Sequence, residues 1–300
     1  RERDRPLEDG GDMSDRPSAG PKGRRWPAEL VPTRQPGRMV GVHIAVCVKQ
    51  IPEPAAPPAL DPVTFRLDRS GKLVMDDSDS YGVEMALRLV EEAGGGEVSL
   101  ISVAPRGEVS GLRTALAMGA ARALLVSDDR LAGSDALSTA KVLAAGVRRL
   151  APDLVLAATE STDGYTGTTP VQLAELLGWP SVTFAKSVTL AEGELHVARQ
   201  TEAGSDEVVC PLPAVVTVTA GVVEPRYPSF KGIMSAKSKP VDVLDLAALG
   251  IDPAEVGGAG ARQEVVAVRA AEARAAGEVV VDDGSAHERI LAFLEEMRVL

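Results

Sequence analysis

The sequence predicts an α/β protein built on a doubly wound, mostly parallel sheet. Three observations carry this. Short apolar runs are continuous rather than alternating, as in strands covered on both faces. Helical apolar periods lie between them. After Phe184 the texture changes to alternating runs joined by turn residues, so a β-hairpin region follows the parallel part.

Residues 1–38 hold six Pro, five Gly, interleaved Arg and Asp, and no Ile or Phe. They cannot bury enough apolar surface to offset ordering entropy and are expected to be a disordered N-terminal extension. There is no apolar core of a secretory signal, and seven acidic residues argue against a transit peptide. Met39 or Met13 is the expected natural start. Strands are expected at Ile44–Val48, Val98–Val103, Ala123–Val126, Leu154–Ala158 and Val182–Phe184. Helices are expected where Val83, Ala86, Leu87 and Val90, then Leu112, Ala115, Leu116 and Gly119, then Ala140, Leu143, Ala144 and Val147 repeat at helical spacing. Leu173, Leu176 and Leu177 mark a fourth, with Gly178 as its C-cap. Lys186–Leu190 and Leu195–Gln200 flank the hairpin turn Ala191-Glu192-Gly193-Glu194. Leu212–Val218 is β-rich. Gly257-Gly258-Ala259-Gly260 reads as a flexible joint and Val279–Val281 as a short strand. Ile290, Phe293, Leu294 and Met297 form the stripe of a terminal helix. The chain therefore divides into an extension at 1–38, an α/β domain at 39–240 and a C-terminal arm at 241–300 that is thin for a core of its own.

Composition narrows the function classes. The net charge is −11 and aromatic residues make up 3%. Phosphate-backbone binding needs excess Lys and Arg, and single-strand binding needs stacking aromatics, so no nucleic-acid partner is expected. No apolar run approaches the roughly 20 residues of a membrane span. Cys47 and Cys210 form no CxxC pair, and His43, His196 and His287 share no metal spacing, so neither a metal site nor a disulfide framework is expected. A reducing cytoplasm fits this usage.

Numbering the five parallel strands from Ile44, right-handed crossovers allow the order 3-2-1-4-5, and ligands then sit at the carboxyl ends of strands 1 and 4. After strand 4 comes Glu160-Ser161-Thr162-Asp163-Gly164-Tyr165-Thr166-Gly167-Thr168-Thr169-Pro170. Hydroxyls, glycines and a helix start suit a phosphate. Ordinary capping explains the same residues. Asp163 either binds a ribose or fixes the loop. The loop is neither a P-loop nor a GxGxxG fingerprint. Cys47 reads as a core residue. Asp76-Asp77-Ser78-Asp79 reads as helix capping rather than a cation site. With no nucleophile–base pair, any chemistry would belong to a cofactor.

Cys47-Val-Lys-Gln-Ile-Pro52, Arg113-Thr-Ala-Leu-Ala-Met-Gly-Ala120, Leu212-Pro-Ala-Val-Val-Thr217, Glu224-Pro-Arg-Tyr227 and Ile233-Met-Ser-Ala-Lys-Ser-Lys-Pro240 occur in this order. Together with Asp282–Ile290 they closely resemble the β subunit of electron-transfer flavoproteins. The resemblance implies an adenine-nucleotide α-hydrolase-like fold. It implies an electron carrier, not an enzyme, paired with an α subunit that holds most of the redox-active FAD and receives the C-terminal arm. It implies a structural AMP at Cys47, Asp76, Val103, Asp163, Thr166, Gly167, Thr168 and Thr169. Electrons would come from dehydrogenases, including those of fatty acid oxidation, and pass to a quinone reductase or another acceptor. Two alternatives stand beside this: a bifurcating carrier with a second FAD in place of AMP, and a stand-alone nucleotide-binding protein of universal-stress type.

Many members carry a Gly-Gly-Leu run whose leucine anchors the dehydrogenase. The corresponding loop here, Glu202, Ala203, Gly204, Ser205, Asp206 and Glu207, is acidic and aligns Ser205 with that leucine. The resemblance thus implies dehydrogenase docking at this loop without the apolar anchor. Lys231, Lys237 and Lys239 read either as solvated charges or as facing an acidic patch.

Overall fold

The computed structural model describes residues 24–25, 41–55, 59–269, 277 and 279–299. Most of the expected N-terminal extension lies outside them. Within it, Arg24–Arg25 (β1) runs parallel to Val208-Val209. Two compact units divide at residues 264 and 265.

The first unit is built on a ten-stranded sheet in the order β1-β10-β9-β8-β11-β7-β2-β5-β6-β12. Its parallel part comprises β2 (Val42–Cys47), β5 (Gly96–Ala104), β6 (Arg122–Ser127), β7 (Leu154–Ala158), β8 (Ser181–Ala191), β11 (Ala214–Val218) and β12 (Val241–Leu244). β9 (Glu194–Thr201) and β10 (Gly204–Pro211) continue it antiparallel from β8. A small antiparallel pair, β3 (Gln50–Pro52) with β4 (Leu73–Met75), stands beside the end of β2. This is the doubly wound α/β fold that the apolar runs predict.

The order of the first four strands is the expected one, and the fifth differs. β11 lies between β7 and β8, parallel to both. All five of its residues are buried, so Ala-Val-Val-Thr-Val takes the central place. β8 has only one buried face along its outer half and is displaced toward the edge. β12 adds a parallel strand beyond β6, so the sheet runs past Pro240, where the sequence places the domain boundary.

Two layers of helices bury the two faces. On one, α1 (Asp77–Glu92) and α2 (Ser110–Met118) set Val83, Leu89, Leu112 and Leu116 against Ile44, Val46, Leu100, Leu156 and Val216. On the other, α3 (Ala136–Leu150) and α4 (Thr169–Leu177) set Leu143, Val147 and Leu173 against Ala45, Ile101, Val155 and Val215. Neighbouring strand residues face opposite layers, as the period of two requires. Each fully buried Leu or Ile contributes roughly 1.5–3 kcal/mol. α4 ends at Gly178, which adopts φ 69° and lets the chain turn back. At the β8–β9 turn, Glu192 and Gly193 both take positive φ, as a type I′ hairpin demands.

α5 (Phe230–Ala236) follows β11. Gly257–Gly260 is a helical turn, α6, not a free joint. A Cβ at Gly257 would collide with the Arg130 carbonyl, and one at Gly260 with the backbone of Glu255. These glycines permit close packing. A small cluster of Val126, Leu131, Val142, Leu246 and Val256 holds this return segment to β6 and α3. In the second unit α7 (Ala286–Glu296) forms as expected, with Ile290, Phe293 and Met297 exposed. Val279–Val281 forms no strand. A three-residue apolar run does not hold a strand without a neighbouring edge to pair with.

Candidate functional site

The site is built where the strand order reverses, at the carboxyl ends of β2 and β7. β2 delivers Cys47, and Lys49 follows it. β7 delivers the loop 159–168, which opens into α4. The segment before α1 closes the third side. Asp76, fully buried, caps α1 by accepting from Ser78 N at 3.1 Å. Its other oxygen accepts from Thr162 N at 2.7 Å and Thr162 Oγ1 at 3.1 Å. One carboxylate thus fixes both a helix start and the loop opposite.

Asp79 is buried one turn further on and accepts from Lys49 N at 2.6 Å. Burial pushes its carboxyl well above the usual range, the Lys49 N–H opposes that, and the neighbouring Asp76 reinforces it. The partly buried Cys47 thiol is pushed up to about 12 by desolvation and then by Asp79. It is a protonated packing residue at neutral pH and no nucleophile.

Asp163 is held by two cations. Lys49 Nζ lies 2.5 Å from Oδ1, and Arg69 pairs with Oδ2. Lys49 Nζ also donates to Ser161 Oγ at 3.1 Å. Burial opposes the Asp163 charge, but Lys49 and then Arg69 overcome it, so its pKa lies below the usual carboxylate value. The contacts of Asp163 within this chain are those of a residue that fixes the loop.

Tyr165 (φ 48°) and Gly167 (φ 63°) turn the loop through left-handed conformations. Thr166 and Thr168 are exposed, while Thr169 is half-buried at the start of α4. Thr168 is the N-cap but makes no side-chain cap bond, unlike Asp76 on α1 and Asp135 on α3. Pro170 lacks an N–H and suits the first turn. The remaining free N–H groups and the helix dipole favour an anion there. Val103 is the penultimate residue of β5, the strand beside β2, and is paired with Val126. Ser102 Oγ and Gln172 Oε1 are buried without a hydrogen-bond partner among the described residues. Paired cations and exposed hydroxyls fit the phosphate end of an adenine nucleotide.

The residues expected to dock a dehydrogenase form a hairpin tip rather than a long loop. Glu202 and Ala203 make the turn, and Gly204 to Glu207 already belong to β10. Ser205 is exposed and sits opposite Gln200. Asp206 lies 3.8 Å from Arg199 across the strands.

Three features escape the sequence reading. Lys49 is visible as the residue after strand 1 but has no assigned partner. Arg69 has no local signal and is placed only by the fold. Glu84 is buried in α1 and grips Arg226 of the Glu224–Tyr227 motif at 2.6 Å. Lys239 donates to the carbonyls of Leu116 and Ala120 at 2.8 and 2.7 Å, satisfying the end of α2. Lys231 and Lys237 are exposed. Two open concavities of about 410 and 370 Å³ lie around residues 129–132 with 253–259, and between α3 and 249–251. Neither contains an expected site residue.

Comparison with known proteins agrees with the motifs. Residues 64–249 match the electron transfer flavoprotein domain family. The chain belongs to this family. Electron transfer flavoprotein subunit beta of Mycobacterium tuberculosis (strain ATCC 25618 / H37Rv) is 36% identical over 264 residues, covering 86% of this chain and 99% of that protein. The same subunit of Thermoanaerobacterium thermosaccharolyticum is 34% identical, covering 85% and 98%. The caffeyl-CoA reductase-Etf complex subunit CarD of Acetobacterium woodii is 33% identical, covering 72% and 83%. The β-subunit resemblance in the sequence motifs is thereby shown, and electron transfer is the family's role. Among the described residues no helix is long and apolar enough to cross a membrane, and no cluster of metal-ligating side chains forms.

Proposed function

We propose that this chain is the β subunit of a heterodimeric electron-transfer flavoprotein. It carries electrons and performs no substrate chemistry of its own. Electrons pass from dehydrogenases through an FAD shared with an α subunit to a quinone reductase or another acceptor. The observation that carries this reading is the coincidence of the family match with a phosphate-suited loop at the sheet's switch point. The FAD supplies the redox chemistry when bound. This chain's residues position it by holding the partner, and the AMP is structural.

The binding roles divide by chemistry. Asp76 and Asp163 order the loop from its two ends. Thr166, Gly167, Thr168 and Thr169 present hydroxyls and N–H groups to the phosphate. Cys47 and Val103 line the strand ends for the adenosine. Partner contact is assigned to the exposed apolar residues Tyr227, Phe230, Ile233 and Met234 and to the α7 stripe. The Glu202–Glu207 tip receives the dehydrogenase. Its acidity favours a basic, dedicated donor, with an encounter that weakens as salt rises.

The CarD relative is named for an enzyme complex, which favours testing the bifurcating reading beside this one. The test is co-expression with an α-subunit candidate, followed by reduction with a dehydrogenase and its substrate. A 1:1 complex with a visible flavin that bleaches on adding substrate is expected. A flavin-free homodimer would overturn the proposal and favour the stress-protein alternative.

A further inference from the structure

Three distant parts of the chain meet at Asp163. Lys49 arrives from the end of β2, Arg69 from the segment before β4, and Asp163 from the loop before α4. The Asp163 side chain is 8% exposed, whereas those of Lys49 and Arg69 are 41% and 32% exposed. An ammonium has three donors and a guanidinium five. Lys49 Nζ spends donors on Asp163 and Ser161, and Arg69 on Asp163 and the Gln50 carbonyl. Neither cation is used up.

Two positive charges therefore converge on one carboxylate and keep donors facing solvent. Among the described residues no other carboxylate forms an ion pair with either side-chain cation. Asp76 is committed to Ser78 and Thr162. Asp79 accepts from Lys49 N, and burial favours its neutral form. Gly164 is exposed, and a Cβ there would crowd Ser161 Oγ at 3.1 Å and Lys49 Nζ at 3.4 Å, so glycine keeps that side of the ammonium uncovered. An anion can approach the ammonium from that side.

We propose that Lys49 and Arg69 are the charge clamp for the phosphate of the bound adenine nucleotide, and that Asp163 is the resident carboxylate that holds them until the phosphate competes for them. This rests on the nucleotide reading above and assigns it two residues outside the hydroxyl loop. A phosphate monoester carries close to two negative charges at neutral pH, against one on Asp163. It takes the cations by charge, and Asp163 retains its hold on the loop through whichever donors remain. Because Arg69 belongs to a different segment, occupancy also tightens the 59–72 stretch against the β7–α4 loop.

The test uses the full-length chain stripped of nucleotide, titrated calorimetrically with AMP and with adenosine. Wild type should prefer AMP by about 10- to 100-fold, the worth of charge-assisted hydrogen bonds. Lys49→Met and Arg69→Met should each shrink that preference and leave adenosine affinity unchanged. Lys49→Arg should keep most of it. Asp163→Asn should lower the melting temperature without ligand yet bind AMP at least as tightly as wild type. A merely structural Asp163 would lose both together. Wild-type AMP affinity should fall with salt while adenosine affinity does not, a readout that needs no variant to fold. Undiminished AMP preference in both Met variants, or salt-insensitive AMP binding, overturns the clamp alone. Binding of neither AMP nor adenosine to wild type overturns the nucleotide reading itself.

Discussion

Replacing Arg226 with Met should unfasten the Glu224–Tyr227 segment from α1. The Glu84 side chain is 3% exposed. Its oxygens accept from Arg226 Nε at 2.6 Å, Arg226 NH2 at 3.2 Å, Arg226 N at 3.2 Å and Arg88 Nε at 3.0 Å. Arg226 NH1 also reaches Glu91 at 2.9 Å. Stranding a buried carboxylate costs about 3–5 kcal/mol. Here Arg88 and the Arg226 N–H remain, and Arg226 is partly exposed, so about 2–3 kcal/mol is expected. For a domain of this size that lowers the melting temperature by roughly 5–10 °C. The assay is thermal and urea unfolding of Arg226→Met, Glu84→Gln and the double variant. The two single losses should overlap, leaving a coupling of about 1 kcal/mol or more. Additive losses, or an Arg226→Met change within about 0.5 kcal/mol, would refute the reasoning. The same variant should weaken α-subunit assembly, because the adjacent Tyr227 is 93% exposed and depends on this fastening for its position.

Other expectations follow from the same geometry. Asp163 and Glu84 have folded pKa values below their ordinary ones. Their stabilisation is therefore present above about pH 4 and is lost as pH falls through the lowered values. Asp79 has the opposite sign: its raised pKa costs stability as pH climbs from about 4 toward that value, so Asp79→Asn should stabilise the protein at neutral pH. Urea midpoints measured across acid and neutral pH check both. Gly111→Ala should cost about 1–3 kcal/mol in the same unfolding assay, since a Cβ there would stand 2.7 Å from Met75 N. Ser205→Leu should speed electron transfer from generic acyl-CoA dehydrogenases, because burying a Leu is worth roughly 1.5–3 kcal/mol. Unchanged rates across a salt series would place the anchor elsewhere. Removing residues 257–300 should weaken co-purification with α.

The parallel strands were legible because full burial writes continuous apolar runs such as Ile44–Val48. The insertion of β11 was not, because Leu212–Val218 follows two hairpin strands and only its five-residue burial in the folded sheet draws it back to the centre. Gly257–Gly260 misled for a related reason. Glycine permits both flexibility and close approach, and the Arg130 carbonyl that decides between them is distant in sequence. The hydroxyl loop was readable from local composition. Its electrostatic fastening was not, since Arg69 is 94 residues from Asp163 and nothing around it marks a partner. The tip at Glu202–Glu207 looked like a loop because its acidic residues have low β propensity. Pairing with β9 through Ser205–Gln200 and Asp206–Arg199 overrides that propensity.

The central claim is that this chain holds AMP while sharing one FAD with an α subunit. The most direct measurement is chromatography of the nucleotides released by denaturing the purified complex, quantified against protein. About one FAD and one AMP per heterodimer is the expected result. Release of two FAD without AMP would contradict the structural-AMP account and establish the bifurcating form. A complex with neither nucleotide would contradict the account altogether.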